Sequence, residues 1–217
     1  MIIRRTKHAL LVALIGLLLI IVLDIAIQRR RTPSIIENLL KANACEIETD
    51  KIDADKLYAL IQVEDPTFYE NNGWDFNSPG AGFTTISQSI GKQIYFEDFK
   101  PGIRKIRLLY LTRFALVPVI SKKEILTVFM NYAYLGNHEG IEIYGFENAS
   151  KTYYQKSFYN LSKDEFLSLL AMLISPNEFH VIRQPNKNME RVKRMKNLLL
   201  GKGKPLDWND VELEGCK

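Results

Sequence analysis

Cysteine and histidine are scarce in this chain of 217 residues: Cys45 and Cys216 on one count, His8, His138 and His180 on the other. With no C-x-x-C pair there is no thiolate metal site or redox motif, and the scattered histidines exclude an H-E-x-x-H zinc site. No G-x-S-x-G elbow and no P-loop occur, which removes the commonest hydrolase and nucleotide-binding chemistries. No segment alternates apolar and polar residues over a useful length, so strands are not expected. Repeats and low-complexity tracts are also missing. Two unrelated free thiols are the expectation for the cysteines; a Cys45–Cys216 disulfide is the alternative if the domain lies outside the cytoplasm.

Positive charge is lacking where a nucleic acid would need it. The net charge is +4, but Arg4, Arg5, Lys7, Arg29, Arg30 and Arg31 against Asp24 put +5 into residues 1–31 and leave −1 for the remainder. The basic character therefore points to a membrane surface rather than a nucleic acid. Between those clusters, Ala9 to Ile27 is a run of 19 residues with Asp24 its one charge. As a helix it spans about 28 Å, close to the hydrocarbon thickness of a bilayer. It ends in "IQRRR" instead of the small residues of a signal-peptidase site, so a single uncleaved anchor is expected. The arginines on both flanks leave orientation undecided.

What is abundant is helical patterning. At 47% hydrophobic the chain can bury a core. Thr32 and Pro33 read as cap and first position of a helix with Ile36, Leu39 and Leu40 on one face. A short helix from about Ala54 to Val63 delivers Glu64 at its end, and Gly73, Pro79, Gly80 and Gly82 make the following stretch irregular. Ile86, Ile90 and Ile94 mark another helix. A further one carries Ile106, Leu109, Leu116 and Val117 and breaks at Pro118. Ser121 with Glu124, and Ser162 with Glu165, form capping boxes, stapled by Ile120/Ile125 and Leu161/Phe166. Val192, Met195 and Leu199 mark the last helix. The expectation is an all-α fold: an anchor over residues 1–31, a linker helix region over 32–56 and a catalytic-type domain over 57–217.

The one stretch with chemical promise is "EDPTFYENNGWDF", Glu64 to Phe76. A carboxylate beside Phe68, Tyr69 and Trp74 would be partly desolvated, which raises its pKa toward neutrality and suits it to accept a proton. "RKIR" at 104–107, with Lys92 and Lys100 upstream, could hold a diphosphate. Each piece alone reads more readily as a solvated turn or a solvated helix face.

Their order adds information. "EDPTFYENNGWD" resembles the first motif of the peptidoglycan glycosyltransferases of glycosyltransferase family 51, E-D-x-x-F-x-x-H-x-G-x-D, and "GFTTISQSIGKQ" is similar to the second. "RKIRL" falls where the third, R-K-x-x-E, belongs. "KKEILTVFMNYAYLG" to "LSKDEFLSLLAMLISPNEF" follows the fourth, and "ERVKRMKNLL" resembles the fifth. The likeness runs from about Leu57 to Leu200 and is greatest to the small membrane-anchored monofunctional transglycosylases. It implies a lysozyme-like helical domain on the outer face of the bacterial cytoplasmic membrane, polymerising lipid II onto a growing glycan strand. Carried over by motif, Glu64 is the general base, Lys92, Arg104 and Lys105 bind the substrate diphosphate, Thr85 and Gln88 line the cleft, and Asn131 is structural. A divalent cation (Mg or Mn) is the one cofactor the resemblance leaves open, and other cell-wall synthesis proteins are the implied partners.

The chain departs from the motifs at Leu108, where the third has its acid, at Asn71, where the first has histidine, and at Ser89 for a second-motif glutamine. Only six residues separate Asp75 from Gly82, fewer than the family's pattern carries. Two function classes therefore stand side by side: a transferase, and a membrane-tethered module that binds the lipid-linked precursor without turnover. A glycosidase is disfavoured because the obvious second carboxylate position is Leu108. Restoring that acid, Leu108→Glu, is expected to raise activity if the local backbone follows the family.

Overall fold

The computed structural model describes residues 2–42 and 45–217; the side chains of residues 2–5, Arg4 and Arg5 among them, lie outside the described set. The fold is mostly helical. Helix α1, Ile2–Lys41, has 40 residues and is about 60 Å long. It is long and apolar enough to cross a membrane. From Leu10 to Leu23 its large apolar side chains, half-buried Ile21 apart, stand exposed. Beyond that point the same helix joins the domain.

Three contacts fasten it. The Arg107 guanidinium donates to both Asp24 carboxylate oxygens at 2.8 and 2.9 Å, and the Tyr110 hydroxyl donates to Asp24 at 2.7 Å. Fully buried Thr32 donates to the Gln28 carbonyl, which leaves the Tyr95 hydroxyl as donor to Thr32 Oγ1 at 2.7 Å. Tyr132 donates to the Leu39 carbonyl. These contacts overrule the expected helix start at Thr32. Pro33 sits on the exposed side of a continuous helix, where its missing N–H costs one hydrogen bond that burial of Thr32 and Ile36 offsets.

Helix α2, Ala54–Glu64, is capped by Asp53, which accepts from the Asp55 and Lys56 amides. It buries Ala59, Leu60, Ile61 and Val63. Helix α3, Ile86–Tyr95, starts at the Thr85 cap and packs Ile86 and Ile90 into the core. It approaches α4, Ile103–Leu111, closely because Gly91 has no side chain: a Cβ there would stand 2.8 Å from Thr112 Oγ1 and 2.9 Å from Leu108 Cδ1. A π-helical turn, Thr112–Leu116, follows α4. Ile106, assigned from its spacing to the apolar face of this segment, is 61% exposed, while Leu108 is wholly buried.

Both capping boxes form as read, at the starts of α5, Lys122–Tyr132, and α7, Lys163–Met172. Their staple residues Ile120, Ile125, Leu161 and Phe166 are all buried. Between them lies helix α6, Phe146–Tyr154, and α8, Pro185–Leu199, closes the helical set. One departure from an all-helical plan is a hairpin, β1 Tyr134–His138 against β2 Ile141–Tyr144. Glu139 and Gly140 turn it with φ of 52° and 85°, the left-handed pair that a two-residue hairpin loop requires. Four residues of "IEIY" are too short for alternation to register in sequence. Both cysteines are free thiols.

Candidate active site

Helix α2 ends at Glu64, and chain direction changes at once: Asp65 has φ −162° and ψ 73°. The two neighbouring acids thereby face different surroundings. Asp65 is 1% exposed and accepts from the Ile86 amide at 3.0 Å and the Asn71 side-chain amide at 2.7 Å. Asn71, standing where the family has histidine, also accepts from the Gly73 amide and donates to Thr67. Asp65 is thus a brace that ties the loop after α2 to the start of α3. Burial still pushes its carboxyl up to about 6.

Glu64 is different. Among the described residues no hydrogen bond reaches its carboxylate, which lines two hollows of about 320 and 220 Å³. Both hollows share Glu64, Ser89, Lys92 and Leu173. Burial pushes its carboxyl up to about 7; Arg191 opposes this and the Asp65 charge adds to it. The expected cause was aromatic neighbours, and that needs correcting. Phe68 is buried in the core, Tyr69 is exposed, and Trp74 donates to the Leu109 carbonyl elsewhere. The apolar walls of the hollows are Val63, Phe83, Phe129, Leu173 and Ile174.

Cations surround this carboxyl. Lys92 lines both hollows, and burial lowers its pKa. The Lys105 ammonium donates to Thr84 Oγ1 at 3.2 Å and Gln88 Oε1 at 2.9 Å. Burial, then the Lys92 charge, lowers its pKa too, so the two ammonium groups feel each other. Arg191, within the fifth motif but given no role from sequence, lines the larger hollow at 2% exposure. It donates to the Val211 carbonyl from Nη1, and its Nε is buried without a partner among the described residues.

Four expected site residues are placed differently. Arg104 is exposed, donates to the Asp98 carbonyl, and lines a separate hollow with Tyr95, Phe96 and Arg107. Successive helical residues point about 100° apart, so Lys105 facing the cleft turns Arg104 away. Lys100 pairs with Asp98 at 3.0 Å. Thr85 and Gln88 are buried at 3% and 1%: both donate to the Gly73 carbonyl and hold the loop in place. Their neighbours Thr84 and Ser89 are the ones that face the hollow. Asn131 is structural as expected, its amide bonding both backbone groups of Ile47 at 2.8 Å.

Leu108 points at Gly91 and lines neither hollow. A glutamate there would be buried in a helix contact, which removes the basis for expecting Leu108→Glu to raise activity. The hollows offer Glu64 as their carboxylate, and among the described residues no group of three or more His, Cys, Asp or Glu could hold a metal ion. This donor set does not fit a protein-held Mg or Mn, and no step below passes through one.

The rim of the larger hollow comes from a segment the motifs do not reach. Trp208 stacks on Phe83 at 6.0 Å and 7°, and Val211 lines the wall. Gly80, at φ 82°, lets Pro205 close over it: a Cβ there would meet the proline ring at 2.4 Å.

Comparison with known proteins agrees with this construction. The sequence profile described as Transglycosylase matches residues 33–201. The biosynthetic peptidoglycan transglycosylase of Acinetobacter baylyi is 30% identical over 164 residues, covering 70% of this chain and 69% of that protein. Its namesake from Nitrosospira multiformis is 27% identical over 157 residues, 66% of this chain and 64% of that one. Penicillin-binding protein 1F of Bacillus subtilis is 28% identical over 169 residues, 72% of this chain but 23% of that larger protein. The chain therefore spans under a quarter of its penicillin-binding relative. Matched from the domain end of α1 to the end of α8, with Glu64 set among cations at the cleft centre, the chain belongs to the transglycosylase family, the peptidoglycan glycosyltransferases of glycosyltransferase family 51.

Proposed function

We propose that this protein polymerises lipid II into glycan strands, with Glu64 as general base. The observation that carries the reading is an unpaired carboxyl, at about 7, between two hollows that share Lys92. One hollow takes the acceptor sugar and the other the end of the growing chain. Glu64 accepts the proton of the acceptor 4-hydroxyl as that oxygen bonds to the anomeric carbon of the chain end. The bond from that carbon to the diphosphate oxygen breaks, its electron pair leaves with the lipid diphosphate, and configuration inverts. A base near neutral pKa is half deprotonated at working pH and still basic enough to help.

Lys92 and Lys105 supply the positive field into which the diphosphate departs. Arg191 holds the far wall, with its Nε–H free for a substrate oxygen. The exposed apolar stretch of α1 crosses the cytoplasmic membrane and keeps the domain on its outer face, where the substrate's lipid tail never has to leave the bilayer.

The test is incubation of the full-length protein with labelled lipid II in detergent, resolved on a gel. A ladder of glycan products is the expected result. Intact lipid II with undiminished binding would replace the transferase with the non-catalytic precursor-binding module.

A further inference from the structure

A further hollow, of about 360 Å³, lies apart from the two Glu64 hollows and shares no lining residue with them. It is built from the loop between α2 and α3, with Arg113 of the π-helical turn on one side. Trp74 and Phe76 meet there at 6.5 Å and 61°, forming an angled aromatic corner. Phe76 is 56% exposed, though it follows Asp75, which the protein holds firmly through Thr67, Ser78 and the Asn77 amide. The platform is therefore exposed but fixed.

Around the corner stand Glu70, Asn72 and Asn77, whose side chains make no hydrogen bond or ion pair among the described residues. Among the described residues the Arg113 guanidinium makes no hydrogen bond or ion pair; it lies over the rings of Trp74 and Phe114, at 5.9 and 6.0 Å. Glu70 and Asp75 against Arg113 give the lining two carboxylates and one guanidinium, so the hollow does not favour an anion such as a diphosphate. Unpaired amides and a carboxylate beside aromatic faces suit a ligand with many hydroxyl or acetamido groups and apolar C–H faces. The volume suits a ligand of one or two rings.

We infer that the Trp74–Phe76 hollow is a saccharide-binding subsite, separate from the Glu64 cleft, that takes an uncharged stretch of β-1,4-linked N-acetylhexosamine. Naming the glycan strand as its occupant rests on the function proposed above; the binding itself does not depend on turnover at Glu64. A peptide fits less well, because the loop presents no open strand edge to pair with its backbone.

The chain has two tryptophans, Trp74 and Trp208. Trp208→Phe keeps an aromatic ring on Phe83 and makes Trp74 the sole indole reporter. Full-length Trp208→Phe protein in detergent micelles is titrated with chitotetraose while indole fluorescence is followed. A saturable change is expected. Added Phe76→Ala should weaken it about tenfold, the effect of one lost stacking face, and Asn72→Ala should weaken it less, each with an unchanged melting temperature. Added Glu64→Gln should leave it as it was. No saturable change would overturn the inference, as would equal affinity in Phe76→Ala, loss in Glu64→Gln, or tighter binding of tetra-alanine than of the sugar. Binding that persists in a protein unable to polymerise lipid II would uphold this site and reject only the transferase.

Discussion

Glu64 and Asp65 share a peptide bond and little else. Asp65 spends both oxygens on the fold; Glu64 spends neither, and its raised pKa is a stability cost. The unfolded chain ionises this carboxyl near 4.5 and the folded one near 7, so the native state binds the extra proton between those values. Stability therefore falls as pH rises from about 4.5 to 7 and stays lower above that. Glu64→Gln is expected to raise the melting temperature at pH 8 by the equivalent of roughly 1 to 3 kcal/mol, with no gain at pH 4. Thermal denaturation at the two pH values checks it. The cations divide as sharply. Lys92→Met should slow polymerisation by about 100-fold or more, whereas Arg104→Met should stay within about threefold, because only the first faces the leaving group. From sequence, the acid and its basic neighbours were legible as an ordered set. Which lysine or arginine turns inward was not, since that depends on the rotation of α4 against α3, set by Gly91 and Leu108. Arg191 was hidden for a similar reason: a charge on an amphipathic helix reads as solvated until a tail is found packed over it.

Most helices could be read because their ends carry local chemistry. A serine cap with a glutamate three residues on needs no tertiary partner to be recognised, and both such boxes form. Thr32–Pro33 carried the same kind of signal and misled, because Tyr95, distant in sequence, claims the Thr32 hydroxyl. The hairpin escaped notice because its strands are short and its turn relies on Glu139 at positive φ. At the contact between α3 and α4, Leu108→Glu would bury a carboxylate against Gly91. It is expected to destabilise the fold by about 2 to 4 kcal/mol and not to raise the rate. Denaturant unfolding and the lipid II gel read the two effects separately.

Across the whole molecule, α1 is both the membrane-length helix and a wall of the domain. Asp24 sits at the join, with side-chain exposure of 19%, gripped by Arg107 and Tyr110. Arg107 lies two residues from Lys105, so this grip ties the anchor to the helix that supplies charge to the cleft. Asp24→Ala leaves the guanidinium without its partner and is expected to cost about 1 to 3 kcal/mol. Hydrogen exchange should then rise in α4 more than in α7, which packs far from the join. Sequence showed Asp24 as an isolated charge in an apolar run and offered no means to foresee its partners, which lie more than 80 residues away.

Everything about the chemistry turns on a carboxyl that changes charge near neutrality among cations it does not touch. The most direct measurement is the rate of glycan formation from labelled lipid II between pH 5 and 9, for the native chain and for Glu64→Gln. A rate that climbs through a midpoint near 7 and levels off is expected of the native chain, with polymer lost in Glu64→Gln although lipid II still binds. Equal rates in the two proteins, or a native profile flat through neutrality, would contradict it.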